Sequence, residues 1–167
     1  AWGGMAQGDS ILAILPIFHG FGLGVCINAA FMAGGRSILV PQFSPEIVAR
    51  LLRTVKPNIL VGVPTLFDAL SKDPGLAKSD LSCLRACFSG ADTLPRPVKE
   101  RFEALVAAHG GKVRLLEGYG LTEAVTAIMA MPLTEYREGS IGIPFPDMRA
   151  KICRPGTGEA LPTGEEG

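Results

Sequence analysis

Charge is what this sequence has least of. Charged side chains make up 19% of it, below the roughly 25% usual for a soluble domain. The 16 basic and 16 acidic residues cancel. Without a basic face or stripe there is no electrostatic footprint for nucleic acid, and without a polybasic cluster there is no anchor for an anionic membrane. Long hydrophobic runs are missing too. The longest, Phe21 to Ala33, is broken by Gly22, Gly24 and Asn28, and it falls short of the roughly 18 residues that a membrane span needs.

Other absences exclude particular chemistries. There are two histidines and no G-x-S-x-G elbow, so a hydrolase triad has no framework. No G-x-x-x-x-G-K-[ST] phosphate loop occurs. Gly118-Tyr119-Gly120 supplies two glycines of a dinucleotide fingerprint, but Glu123 stands where the third belongs. The four cysteines form no C-x-x-C knuckle, which leaves zinc without a site. Reduced thiols in a cytoplasmic protein are the expectation. Neither an initiator Met nor a signal-peptide layout opens the chain, and it stops in the turn-like TGEEG. The reading is an internal segment of a longer protein.

What is present is apolar and rhythmic. Apolar residues make up 47% of the 167, enough for a sizeable core. Buried strands are expected at SILAILP (10–16), RSILVP (36–41), NILVGVP (58–64), LRACFSG (84–90) and the start of KVRLLEGYG (112–120). Helices are expected at 21–32, after Ser44-Pro45, at 65–71 and after Pro95. Ser44 is a good N-cap and Pro45 suits the first helical position. Unbroken apolar strands alternating with helices indicate an α/β fold: a mostly parallel sheet with helices on both faces. From about Met148 the character shifts toward a strand and a glycine-rich turn. Residues 1–148 are assigned to the α/β part, and 149–167 to the start of an antiparallel β subdomain.

Ligands of open α/β sheets gather beyond the carboxyl ends of the strands. Four unusual stretches fall there: PIFHGFG, VPT, SGADTLP and EGYGLTE. In the last, glycines at 118 and 120 permit positive φ and a close approach by ligand. Tyr119 offers a ring for a flat ligand, Thr122 a hydroxyl, and Glu123 a hard oxygen for Mg²⁺. The same string also reads as a glycine-rich turn with a packed Tyr and a capping Thr. SGADTLP reads either as backbone that meets a base edge or as a turn capped by Asp92 or Thr93. His19 is either at a pocket mouth or simply packed among aromatics.

Seven blocks, in order, carry a resemblance: LPIFHGFGLG, GGRSILVPQFSP, ILVGVPTLFDAL, DLSCLRACFSGADTLP, EGYGLTEA, GSIGIPFPDMRAKI and TGEALPTGEEG. Together they resemble the adenylate-forming acyl-CoA synthetases, the AMP-binding ligases related to firefly luciferase and to the adenylation domains of peptide synthetases. The resemblance covers nearly the whole chain. It implies activation of a carboxylic acid by ATP to acyl-AMP, then transfer to coenzyme A, with Mg²⁺ assisting. It implies nucleotide binding by Ala91, Asp92, Thr93, Gly118, Tyr119, Gly120, Leu121 and Thr122. Tyr119 would stack on adenine, Thr122 would hold the AMP phosphate, and Glu123 would bind the metal. His19 would stand beside the acyl carboxylate, with Phe21, Val63, Gly118 and Leu121 around the acyl group. Many relatives have Gly-Ala-Pro where this chain has Ala91-Asp92-Thr93.

The resemblance further implies that the phosphate loop, the ribose-binding acid and the catalytic lysine belong to other parts of the enzyme. The 167 residues by themselves are therefore expected to be inactive and prone to self-association through exposed apolar surface. An apolar pocket around Val25, Ile27, Phe31 and Val63, with no charged anchor, points to a medium- or long-chain fatty acid. An amino or aryl acid is the alternative, as is a non-catalytic nucleotide-binding domain of the same fold.

Overall fold

The computed structural model describes residues 4–124 and 126–167. Five short strands, β1 (Ser10–Ala13), β2 (Arg36–Leu39), β3 (Ile59–Gly62), β4 (Ala86–Ser89) and β5 (Leu115–Leu121), form a parallel array. β6 (Thr126–Ala130) and β7 (Ile143–Pro144) add to β5 in antiparallel fashion. The seven run in the order β2-β1-β3-β4-β5-β6-β7.

Alternation along the strands divides the core in two. Leu12, Leu60, Cys87 and Leu115 point to one face, where Val48 and Leu52 of α2 (Pro45–Thr54), Phe67 and Leu70 of α3 (Pro64–Ser71), and Phe102 and Val106 of α4 (Arg96–Ala108) cover them. The Phe67 and Phe102 rings meet edge-on, 4.9 Å between centroids. Ile11, Ala13, Ile59, Val61 and Ala86 point to the other face, onto Cys26 and Ala30. Each side chain fully buried this way contributes about 1.5–3 kcal/mol. The helices on both faces, the parallel strands and the antiparallel C-terminal end agree with the sequence reading.

Several local expectations are corrected. The segment read as one helix over 21–32 is a π-helical turn, Gly22–Asn28, that runs into a short α1, Ala29–Met32. Phe31 on α1 is 63% exposed. α4 is capped by Pro95, whose carbonyl accepts from Val98 and Lys99 N–H, and not by Asp92 or Thr93. Antiparallel pairing already begins at Thr126. Beyond Pro146 the one ladder contact among the described residues is a bridge between Cys153 and Ala160. The four thiols are free; burial pushes that of Cys26 up to about 12, which makes it inert at neutral pH.

The α2 start matches its sequence signal closely. Ser44 Oγ accepts from the Ile47 N–H at 3.4 Å, and Pro45 opens the helix. Ser44→Ala is expected to cost about 1 kcal/mol, read from the denaturation midpoint. An unchanged midpoint would mean that Pro45 alone fixes the helix start.

Candidate active site

The site is built where strands end. After β4 the chain turns at Gly90, whose N–H donates to the Gly62 carbonyl at the end of β3 (3.1 Å). A Cβ placed on Gly90 would lie 3.1 Å from Phe21 Cζ and 3.2 Å from the Gly118 carbonyl. FHGFG, SGADTLP and EGYGLTE therefore meet at one point on the rim, through Phe21, Gly90 and Gly118. In β5, Glu117 lies opposite Ser89 of β4. The shared rim expected from the sequence exists.

The candidate side chains differ in exposure and in partners. His19 is exposed, and its Nδ1 accepts the Phe21 N–H at 3.1 Å. That bond assigns the proton of the neutral ring to Nε2, which is left free to donate outward. Ala91 takes a positive φ of 68°, a left-handed turn that an alanine rarely adopts. Asp92 Oδ1 accepts the Thr93 N–H at 2.7 Å. The Asp92 carboxylate thus tightens its own turn, and Ala91, Asp92 and Thr93 are all exposed.

EGYGL is strand and not turn. Tyr119 stands opposite Met129 of β6 and is 46% exposed, with its ring available on the rim. Neither Gly118 nor Gly120 has a positive φ, contrary to the sequence reading. Gly120 has a different reason to be glycine: the pairing register shifts between Tyr119 and Gly120, and β6 crosses directly over it. Leu121 pairs with Thr126, while Phe21 and Val63 pack with Val25 and Phe88 against the second core cluster.

Thr122 and Glu123 follow in a single 3₁₀ turn, Thr122–Ala124, and both are exposed. Among the described residues, no hydrogen bond or ion pair engages the Glu123 carboxylate, and no cluster of three or more His, Cys, Asp or Glu forms a metal cage. One free carboxylate beside a hydroxyl suits Mg²⁺, which binds through one or two carboxylates and takes its other ligands from water and phosphate.

Sequence reasoning missed two features. One is the position of the apolar cavity: about 860 Å³ at the carboxyl ends of β1, β2 and β3, it takes Val63 from the expected pocket but also Ile14, Phe18, Val40, Phe43 and Leu66. Ile14, Val40 and Leu66 come from stretches that read as core, whereas Phe18 and Val63 lie in stretches already expected at the site. The other is Glu117. Burial raises its carboxyl pKa from the ordinary value, while Lys99 and the Leu94 amide act the other way. It faces the 91–94 turn.

The chain matches the AMP-binding enzyme family across residues 1–167. It is 37% identical over 160 residues to a long-chain-fatty-acid–CoA ligase of Bacillus subtilis, covering 95% of this chain and 28% of that protein. It is 36% identical over 165 residues to a probable 4-coumarate–CoA ligase of Dictyostelium discoideum, covering 96% and 29%. Its fold superposes on ATP-bound MatB from Rhodopseudomonas palustris with a TM-score of 0.86 at 29% identity, covering 98% of this chain and 31% of that one. The chain thus spans under a third of the length of these relatives. On the match along its full length, the chain belongs to the AMP-binding enzyme family.

Proposed function

We propose that this chain is the central part of an ATP-dependent acid–CoA ligase. The observation that carries the reading is the meeting of Phe21, Gly90 and Gly118 at one rim, since each belongs to one of the three loops assigned to the nucleotide and acyl group. In the proposed reaction an acid's carboxylate oxygen attacks the α-phosphorus of ATP, and pyrophosphate leaves. The thiol sulfur of coenzyme A then attacks the acyl carbon, AMP leaves with the bonding pair, and the thiol proton passes to solvent. Adenylation is needed because a carboxylate is a poor electrophile with no leaving group.

The chain's own groups have distinct tasks in this reading. The Tyr119 ring and the exposed turn at Ala91–Thr93 hold the base between them. The Thr122 hydroxyl donates to a phosphate oxygen, where charge accumulates in the transition state. His19 presents Nε2–H toward the acyl carboxylate. Glu123, with Thr122 beside it, would hold Mg²⁺, which supplies electrostatic stabilisation of the phosphate oxygens when bound.

For the acid, the proposal is a fatty acid. The 860 Å³ cavity is lined mainly by apolar side chains and holds no carboxylate to anchor an ammonium group. The volume is of drug-sized ligand scale. An aryl acid is the second reading, favoured by the 36% identity to a probable 4-coumarate–CoA ligase. The test is AMP release by the whole protein with ATP and coenzyme A, across fatty acids of graded length and hydroxycinnamates. AMP release that rises with fatty-acid length supports the first reading. Release with hydroxycinnamates alone selects the second, and no release with any acid removes both.

A further inference from the structure

Lys99 lies on α4, outside every stretch assigned to the nucleotide, yet it touches both segments that bear the site. It sits in the first turn of α4, just past the turn that carries Ala91–Thr93, where its backbone N–H makes the usual helical bond to the Pro95 carbonyl; the side chain makes the further link. Its ammonium donates to the Leu115 carbonyl, the first residue of β5, at 2.6 Å. β5 in turn carries Glu117 through Leu121.

Around these two contacts the ammonium is fully engaged. Glu103, one helical turn on, pairs with it and also accepts the Leu115 N–H at 2.8 Å. α4 therefore grips both backbone groups of the strand's first residue. The Tyr136 ring lies over the ammonium, 4.7 Å from centroid to Nζ, and the Arg114 guanidinium sits 4.6 Å from the same ring. Tyr136 comes from the loop after β6, so the contact also ties that loop to the helix. The Lys99 side chain is only 12% exposed, where a charge-assisted hydrogen bond is stronger than at an open surface.

We infer that Lys99 is a positioning residue for nucleotide binding, joining the 91–95 turn to β5, with Tyr136 as the clasp that holds its ammonium in place. The role rests on the nucleotide reading above. It acts at second hand: Lys99 fixes how far apart the two walls of the base site stand. Glu117, between those walls, feels Lys99 and the Leu94 amide, and both favour its ionised form.

Calorimetric titration of the whole protein with Mg-ATP tests this, with no need to know the acid. Lys99→Met keeps the aliphatic stem and removes the charge. ATP affinity is expected to fall roughly five- to tenfold, the scale of one lost charge-assisted contact. Lys99→Arg is expected to restore most of it. Tyr136→Leu, a change at a partly exposed loop, is expected to weaken ATP in the same direction by a smaller factor. A purely structural role would lower the thermal midpoint of Lys99→Met and leave ATP affinity where it was, which overturns the inference. If Lys99→Met does not fold, Tyr136→Leu decides: unchanged affinity overturns the clasp, weaker affinity supports it. Failure of the unsubstituted protein to bind Mg-ATP would instead sink the nucleotide reading itself.

Discussion

Glu123→Gln is expected to abolish most acyl-AMP formation, by about 100-fold or more, while leaving the protein as stable as before. The two halves of that expectation come from the same observation. The carboxylate is exposed, and among the described residues nothing pairs with it. A side chain without partners contributes almost nothing to the fold, so its replacement by an isosteric amide should move stability by no more than about 0.5 kcal/mol. In the proposed reaction that unneutralised carboxylate would serve as a hard ligand for a phosphate-bound Mg²⁺. Removing one preorganised group that stabilises developing charge costs a factor of about 10²–10³, and loss of the carboxylate that would hold Mg²⁺ against the phosphate is expected to fall on that scale. The measurements are thermal unfolding and acid-dependent pyrophosphate exchange by the whole protein, each across a Mg²⁺ titration. The variant should also need more Mg²⁺ for half-maximal rate. Exchange within threefold of the unsubstituted protein, at ordinary Mg²⁺, would remove Glu123 from the metal role.

How far the sequence discloses this arrangement depends on whether the controlling contacts are local. β1 and β3 were legible because both are unbroken apolar runs buried on both faces. α2 was legible because its cap, Ser44, and its first residue, Pro45, are adjacent signals. β6 was not. TAIMA is only partly buried, and no glycine or proline separates it from Leu121, so nothing local marks a reversal. The π-helical form of Gly22–Asn28 was equally hidden, because apolar spacing alone does not distinguish it from an α-helix. At the site, the convergence of three loops followed from the rule that strand ends share an edge. The reason for Gly120 did not, because it lies in a backbone crossing from another strand. Lys99 shows the same limit. On an amphipathic helix it reads as a solvated charge, and only its tertiary partners Leu115 and Tyr136 show otherwise.

The contrast between the two glycines of EGYGL makes that non-local reason measurable. A Cβ on Gly120 would fall 1.9 Å from the Thr126 carbonyl oxygen and 2.8 Å from Ala127 Cα. Both are backbone atoms, so no side-chain rotation relieves the overlap. On its other side Thr126 packs close to Gly20 and Gly24, where an added Cβ would meet its side chain at 3.3 and 2.6 Å. Its own φ of 111° already lies where a β-branched residue is strained. Gly120→Ala must therefore part β5 from β6 or push β5 along the rim. We expect a loss of about 3 kcal/mol, the upper range for overpacking. ATP binding should fall with it, because Thr122 and Glu123 hang from the displaced strand end and catalytic geometry tolerates little displacement. Gly118→Ala is the opposite case. Its Cβ would meet Met129 O at 3.4 Å and Ala130 Cβ at 3.8 Å, ordinary contact distances, so the fold should accept it. Any loss of ATP affinity in Gly118→Ala with an unchanged melting temperature then reports a steric conflict with ligand alone. If Gly120→Ala melts and binds Mg-ATP like the unsubstituted protein, β6 does not cross β5 at that point, and the placement of Thr122 and Glu123 on the rim goes with it.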